Sequence, residues 1–212
     1  MVAQVTRMSL AEFMALPNDG DRHELVRGEV RVMPPPKGEH GLIEAGIVEA
    51  IGLYLGDRAR GLGWAPRQGI AARDALVGFV AGGEFGMQFA VPDDPRQIRG
   101  ADGAYVPAAQ LVDVAWPDGE YFPAVPALVI RVVSSTDRAD DVAEKVQDYL
   151  AGGARRVWCV YPKRRTVQIY DADGPMRFVG GDADLADEEL LPGFALPLTM
   201  VFRESRSSGS GG

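Results

Sequence analysis

Only one cysteine, Cys159, occurs in the 212 residues. That excludes an internal disulfide and a cysteine-rich zinc site. No apolar run approaches the roughly 18–20 residues of a membrane span, and Met1 to Arg7 lack the apolar core of a secretory signal. A cytoplasmic protein with no membrane partner is the expectation. Positive charge is also short: 22 Lys+Arg against 30 Asp+Glu leave a net charge of −8 and a pI near 4.8. This argues against broad, nonspecific nucleic-acid binding, but not against a local basic groove or an acidic metal site. A nucleotide-binding loop is missing too. Gly82-Gly83 with Gly86 has neither the spacing of a dinucleotide fingerprint nor a P-loop lysine. No internal repeat is visible.

What is present suits a globular chain. Hydrophobic residues make up 46% and charged residues 25%, and the length is enough for one core and short for two. One domain is expected over 1–202, with a Ser/Gly-rich tail at 203–212 expected to be disordered. The chain is organised around 126–150. Leu128 to Val133 is an apolar, β-branched run of the kind found in strands covered on both faces, interrupted by Arg131. Asp137 reads as the N-cap of the helix that follows, on which Val142, Val146, Tyr149 and Leu150 share a face with Lys145 at its edge. Strand and helix thus each direct a charge towards the interior, where it must be paired or used. The plain alternative is a satisfied Arg131 and a Lys145 that snorkels towards Asp141.

The remaining elements follow from pattern. Ser9 and Glu12 form a capping box for a helix over Met8 to Leu16. His23 to Met33 alternates on both sides of Arg27-Gly28 and predicts a β-hairpin. Ile43, Ile47, Ile51 and Tyr54 give a helix over 40–57, with His40 on the same face. The Gly- and Ala-rich stretch 68–89 predicts little, beyond strand pieces over 79–89 carrying Glu84. A turn at 91–96 precedes a short strand, Ala101 to Val106, bearing Asp102, and Trp116 to Gly119 reads as a turn. Arg156 to Tyr161 and Thr166 to Tyr170 predict a second hairpin. The polar stretch 182–189 has no assignment, and Leu191 to Phe202 reads as a strand or docked extension. The order predicts an α/β (α+β) domain with a mixed central β-sheet flanked by helices, opened by an N-terminal helix and hairpin.

Several stretches together resemble a known family. Glu24-Leu25-Val26-Arg27-Gly28-Glu29-Val30, then Met33-Pro34-Pro35-Pro36 and His40 opening a helix, look like the N-terminal half of the Uma-two type putative restriction endonucleases. Asp102 to Val106, Leu128 to Ser134, Glu144 to Leu150 with Gly152, Trp158 and Pro162, and Leu191 to Phe194 look like that family's later motifs, in the same order. No one motif is specific; their order and spacing are. The family is similar to the PD-(D/E)xK nuclease superfamily, so the resemblance implies a restriction-endonuclease-like fold and metal-dependent hydrolysis of DNA, with magnesium or manganese as cofactor and a homodimer as the assembly.

The resemblance also implies a site. Asp102 would be the first metal carboxylate, Glu84 a further acid at the metal, and Lys145 the lysine that orients or deprotonates the attacking water. Glu24 and His40 would line the site. Arg131 occupies the position of the family's second metal carboxylate, and a guanidinium repels a cation rather than ligating it. Three outcomes stay open. Glu84, Asp137 or Glu144 replaces the missing acid; Arg131 pairs with Asp102 and binds phosphate; or the chain is a catalytically inactive relative kept as a nucleic-acid-binding or protein-interaction module. Charge balance among Asp102, Glu84, Arg131 and Lys145 predicts weak metal binding, with Arg131→Glu restoring it. The basic cluster Arg155, Arg156, Lys163, Arg164 and Arg165 reads as a solvated turn or a DNA-backbone contact, and Cys159 as plain core.

Overall fold

The computed structural model describes residues 7–17, 19–33, 38–112, 114–115 and 120–202. The tail at 203–212 and the Trp116 to Gly119 turn lie outside the described residues. Helix α1 (Leu10–Met14) carries the expected capping box, with the Ser9 N–H donating to Glu12 Oε2 at 2.8 Å. Strands β1 (Arg22–Val26) and β2 (Glu29–Met33) form the expected hairpin. Arg27 and Gly28 at its tip take φ of +51° and +79°, the turn conformation whose twist matches the flanking strands.

Helix α2 (Gly38–Gly61) extends past both ends of the predicted 40–57, and buries Ile43, Ile47, Ile51 and Leu55 along one stripe. The poorly patterned region holds a helix, α3 (Gly69–Val77), that the sequence reading missed. It also holds a single strand, β3 (Phe79–Val91), instead of separate pieces. Its glycines do not end it because β4 (Asp94–Val106) pairs with it nearly end to end. The predicted turn at 91–96 is therefore the tip of a long hairpin. A short helix, α4 (Ala108–Leu111), leads to β5 (Leu128–Val132), buried throughout. The next helix, α5 (Ala139–Ala151), has Arg138 rather than Asp137 at its N-cap, without a side-chain cap. The Asp137 carboxylate instead accepts from the Ser134 N–H at 3.1 Å and from Arg131 at 3.0 Å.

Strands β6 (Arg156–Tyr161) and β7 (Thr166–Asp171) form the second predicted hairpin. Beyond them come β8 (Arg177–Gly180), β9 (Asp184–Asp187), β10 (Leu191–Pro197) and helix α6 (Leu198–Val201). Strands β8 and β9 are too short to leave a clear period in the sequence; pairing with β7 and β10 sets them, and Val179 and Leu185 reach the core from them.

The main sheet runs β2-β1-β4-β5-β6-β7-β8, with β3 also on β4 and only β5–β6 parallel. One core lies under α2 and contains Ile130, Val132, Trp158 and Val160; the other lies under α5 and contains Val129, Val157 and Cys159. Helices thus cover both faces of a mixed, mostly antiparallel sheet, the α/β architecture expected. No helix among the described residues is long and apolar enough to cross a membrane.

Candidate active site

The site is built where β4 changes partners. Along one edge β4 keeps β3. Along the other it meets β1 at Leu25↔Ile98 and β5 only from Gly103↔Ile130 onward. Gly100 to Asp102 lie in the fork between β1 and β5, where ladder hydrogen bonds cannot continue. Side chains supply them instead. The Gly100 N–H donates to Glu24 Oε1 at 3.1 Å, and the Val132 N–H donates to Asp102 Oδ2 at 2.6 Å. Backbone polar groups in a buried fork need such partners. This requirement places a carboxylate from β1 and one from β4 at the same opening.

On the other edge, β3 carries a bulge. Between Gly82↔Gly103 and Phe85↔Ala101 it inserts Gly83 and Glu84 opposite Asp102. Both adopt left-handed backbone, with φ of 76° and 65°. For a glutamate this costs about 1–2 kcal/mol, a local strain of the kind that clusters at functional positions. The bulge swings Glu84 against Asp102. Burial and the Asp102 charge raise the Glu84 pKa, partly opposed by its ion pair with Arg22.

Asp102 is fully buried. Its two oxygens are divided: Oδ1 faces His40 Nε2 at 3.0 Å, while Oδ2 takes the Val132 N–H and Arg131 Nη1 at 3.5 Å. Burial alone would raise its pKa, but the His40 hydrogen bond and the Arg131 charge outweigh it and hold the carboxyl below its usual range. The His40 pKa is raised by the same hydrogen bond. Arg131 lies between Asp102 and Asp137 and is itself buried.

Lys145 reaches the fork from α5. It is buried, and its Nζ donates to Glu24 Oε1 at 2.8 Å, not to Asp141. Burial lowers its pKa, with Glu24 opposing. Glu24 would be raised by burial, yet the charges of Lys145 and Arg99 keep it below the ordinary value. Arg99 has no exposed surface and bonds Gln97, Glu24 and Asp148. Glu144, one of the proposed replacement acids, belongs to this peripheral network, held by Arg31 at 2.8 Å and Arg27 at 2.9 Å. Asp137, another, is engaged by Arg131. A cleft of about 380 Å³ opens beside Glu24, Glu84, Arg22 and Arg99.

A residue the sequence reading missed completes the picture. Glu44 follows His40 by one helical turn on α2, and the Gly83 N–H of the bulge donates to its carboxylate. Ligand atoms of His40, Glu44 and Asp102 lie within 4.8 Å of one another. Ligands at about 2.0–2.2 Å from one ion are separated by roughly 3–4.4 Å, so the three fit a divalent cation after small side-chain shifts. The signal was available as His-x-x-x-Glu on one helix face. The replacement acids expected from sequence were Glu84, Asp137 and Glu144, not Glu44. Of the basic cluster, Arg155 and Arg156 pair with Glu189, Asp171 and Asp187, and Arg165 donates to the Phe202 carbonyl. Lys163 and Arg164 are exposed and line a second cleft, of about 530 Å³, together with His40, Ser134 and Tyr161.

The profile of the Uma2 family, described as putative restriction endonucleases, matches residues 10–199. The chain belongs to the Uma2 family. A search of curated proteins returned no match. Among solved structures, a putative nuclease belonging to DUF820 from Anabaena variabilis is similar over 92% of this chain and 97% of its own, with a TM-score of 0.70 and 17% identity. At that identity the likeness speaks for the fold. Within the β1–β4–β5 fork, His40, Glu44 and Asp102 form a histidine–carboxylate group that could hold a metal ion.

Proposed function

We propose that this chain is a metal-dependent DNA endonuclease of the PD-(D/E)xK type, hydrolysing phosphodiester bonds at the fork. The observation that carries the reading is the grouping of two pairs, Asp102 with Glu84 and Glu24 with Lys145, around Gly100 of β4, drawn from β4, β3, β1 and α5. A magnesium or manganese ion held by Asp102 and Glu84 would offset charge developing on the phosphate and acidify water. Lys145 would orient that water and, in its neutral amine form, accept the water's proton at Nζ; the burial that lowers its pKa favours that form. Glu24 fixes Nζ in place. Arg131, committed to Asp102 and Asp137, acts through Asp102 by holding Oδ2 and is a positioning residue. His40, Lys163 and Arg164 flank the second cleft, a short basic wall for the DNA backbone on an otherwise acidic protein.

Lys145→Met tests the assignment. Arg99 and the Gly100 N–H still satisfy Glu24 in this variant, so the fold is expected to persist. Nicking of supercoiled DNA is expected to fall by at least about 100-fold, and the residual rate to lose its rise with pH. A purely structural lysine would leave the shape of the pH–rate profile unchanged.

The alternative, an inactive relative that binds nucleic acid or protein, is favoured by one observation: Arg131 already places positive charge on Asp102. No nicking by a folded protein would establish it. A twofold dimer belongs to the first reading. The edge strand β2, with Val32 56% exposed, offers it a face to bury, and a monomer mass in light scattering at micromolar concentration would reject it.

A further inference from the structure

We infer that Glu44, with His40, has taken over the metal-ligand role lost where Arg131 stands, and that the resulting nitrogen-and-oxygen site selects manganese-like cations over magnesium. The inference rests on the reading of the fork as a metal site, and concerns which residues of this chain form it. Arg131 does not block Asp102 as a ligand. The guanidinium and the Val132 N–H occupy Oδ2, while Oδ1 faces His40 on the other side. Asp137 supplies a second carboxylate to Arg131 at 3.0 Å, so the guanidinium's charge is neutralised without Asp102's second oxygen. The acid missing from β5 is replaced across the fork, from α2. His40 and Glu44 stand one turn apart and converge with Asp102 within 4.8 Å.

Three further features agree. The Gly83 N–H of the β3 bulge fixes Glu44 by its carboxylate, which couples the ligand to the strained turn that presents Glu84. The bulge therefore positions two acids near Asp102. His40 also lines the cleft of about 530 Å³, which gives the group a route to solvent. The donor set is one imidazole nitrogen and carboxylate oxygens. Magnesium prefers oxygen ligands and retains its waters. Imidazole favours the later first-row ions, and carboxylates remain good ligands for manganese. A site rebuilt around His40 is thereby shifted from magnesium towards manganese.

The test is a manganese titration of the full chain, followed by loss of the electron paramagnetic resonance signal of the free ion, with magnesium as competitor. Glu44→Gln and His40→Gln each keep a polar side chain of similar reach, and unchanged thermal unfolding without metal shows that they fold. The unmodified protein is expected to bind manganese and to resist equimolar magnesium. Each variant should bind at least about 10-fold more weakly. Failure of the unmodified protein to bind manganese, or binding indifferent to both substitutions, overturns the inference. So does a large gain in affinity on Arg131→Glu with none lost on Glu44→Gln, because the β5 position would then be the one that matters. The two readings separate cleanly. Manganese held by His40 and Glu44 without any DNA cleavage supports this inference and sinks the nuclease assignment. Magnesium-driven cleavage unaffected by Glu44→Gln does the reverse.

Discussion

Asp102→Asn should lower the rate of DNA nicking by about 1,000-fold and weaken divalent-metal binding with it. Asp102 ties β4 to α2 and β5: it faces His40, accepts the Val132 N–H and pairs with Arg131. An asparagine keeps the shape and an acceptor for Val132, but removes the charge. Loss of several kcal/mol of metal-mediated stabilisation converts to a rate change of this order. The substitution has a second, independent signature. The Asp102 hydrogen bond holds the His40 pKa up. The stability it contributes is fully present below the unfolded histidine value near 6.5 and is lost as pH rises through the higher folded value. In the variant the His40 pKa, read by NMR, should fall, and that pH-dependent part of the stability should disappear. An unchanged His40 titration would mean that the pair does not form in solution.

Arg99→Met should destabilise the fold by about 3–5 kcal/mol, the usual effect of removing one member of a buried ion pair. Arg99 is fully enclosed and lies between Glu24 and Asp148, both of them buried. Methionine fills much of the volume but leaves two carboxylates short of a partner. Lys145 still serves Glu24, and Arg27 still serves Asp148 at 2.9 Å, which keeps the expected effect within this range. Urea unfolding measures it. A change below about 1 kcal/mol would show that the network relaxes around the loss, and that Arg99 is not what holds the β1 carboxylate in the fork.

The two substitutions separate what the sequence disclosed from what it did not. The strand Leu128 to Val133 and the amphipathic helix after it were legible because burial on both faces and a helical period leave strong marks in a local window. So was the Arg27-Gly28 hairpin, where turn chemistry is local. Asp102, Lys145, Glu24 and Glu84 were named through the order of motifs, and they arrive at one fork. The partnerships were not legible. Lys145 reaches Glu24, 121 positions away in the chain, instead of Asp141 one turn back. The N-cap assigned to Asp137 failed because a buried guanidinium competes for its carboxylate. Strand β3 was fragmented in the reading because glycines weaken strand propensity, whereas its continuity comes from β4. Strands β8 and β9 are too short to show a period, and only their pairing with β7 and β10 and the burial of Leu185 reveal them. Glu44 was not legible as a ligand because its partner Asp102 is 58 positions away in the chain, although its one-turn spacing from His40 was plain.

The measurement that bears most directly on the account is conversion of supercoiled to open-circular DNA by the unmodified protein, followed as magnesium or manganese is added and then withdrawn by chelator. No nicking is expected without metal, nicking appears with the ion, and it is lost on chelation. Absence of nicking with either ion, or nicking that survives the chelator undiminished, would contradict this.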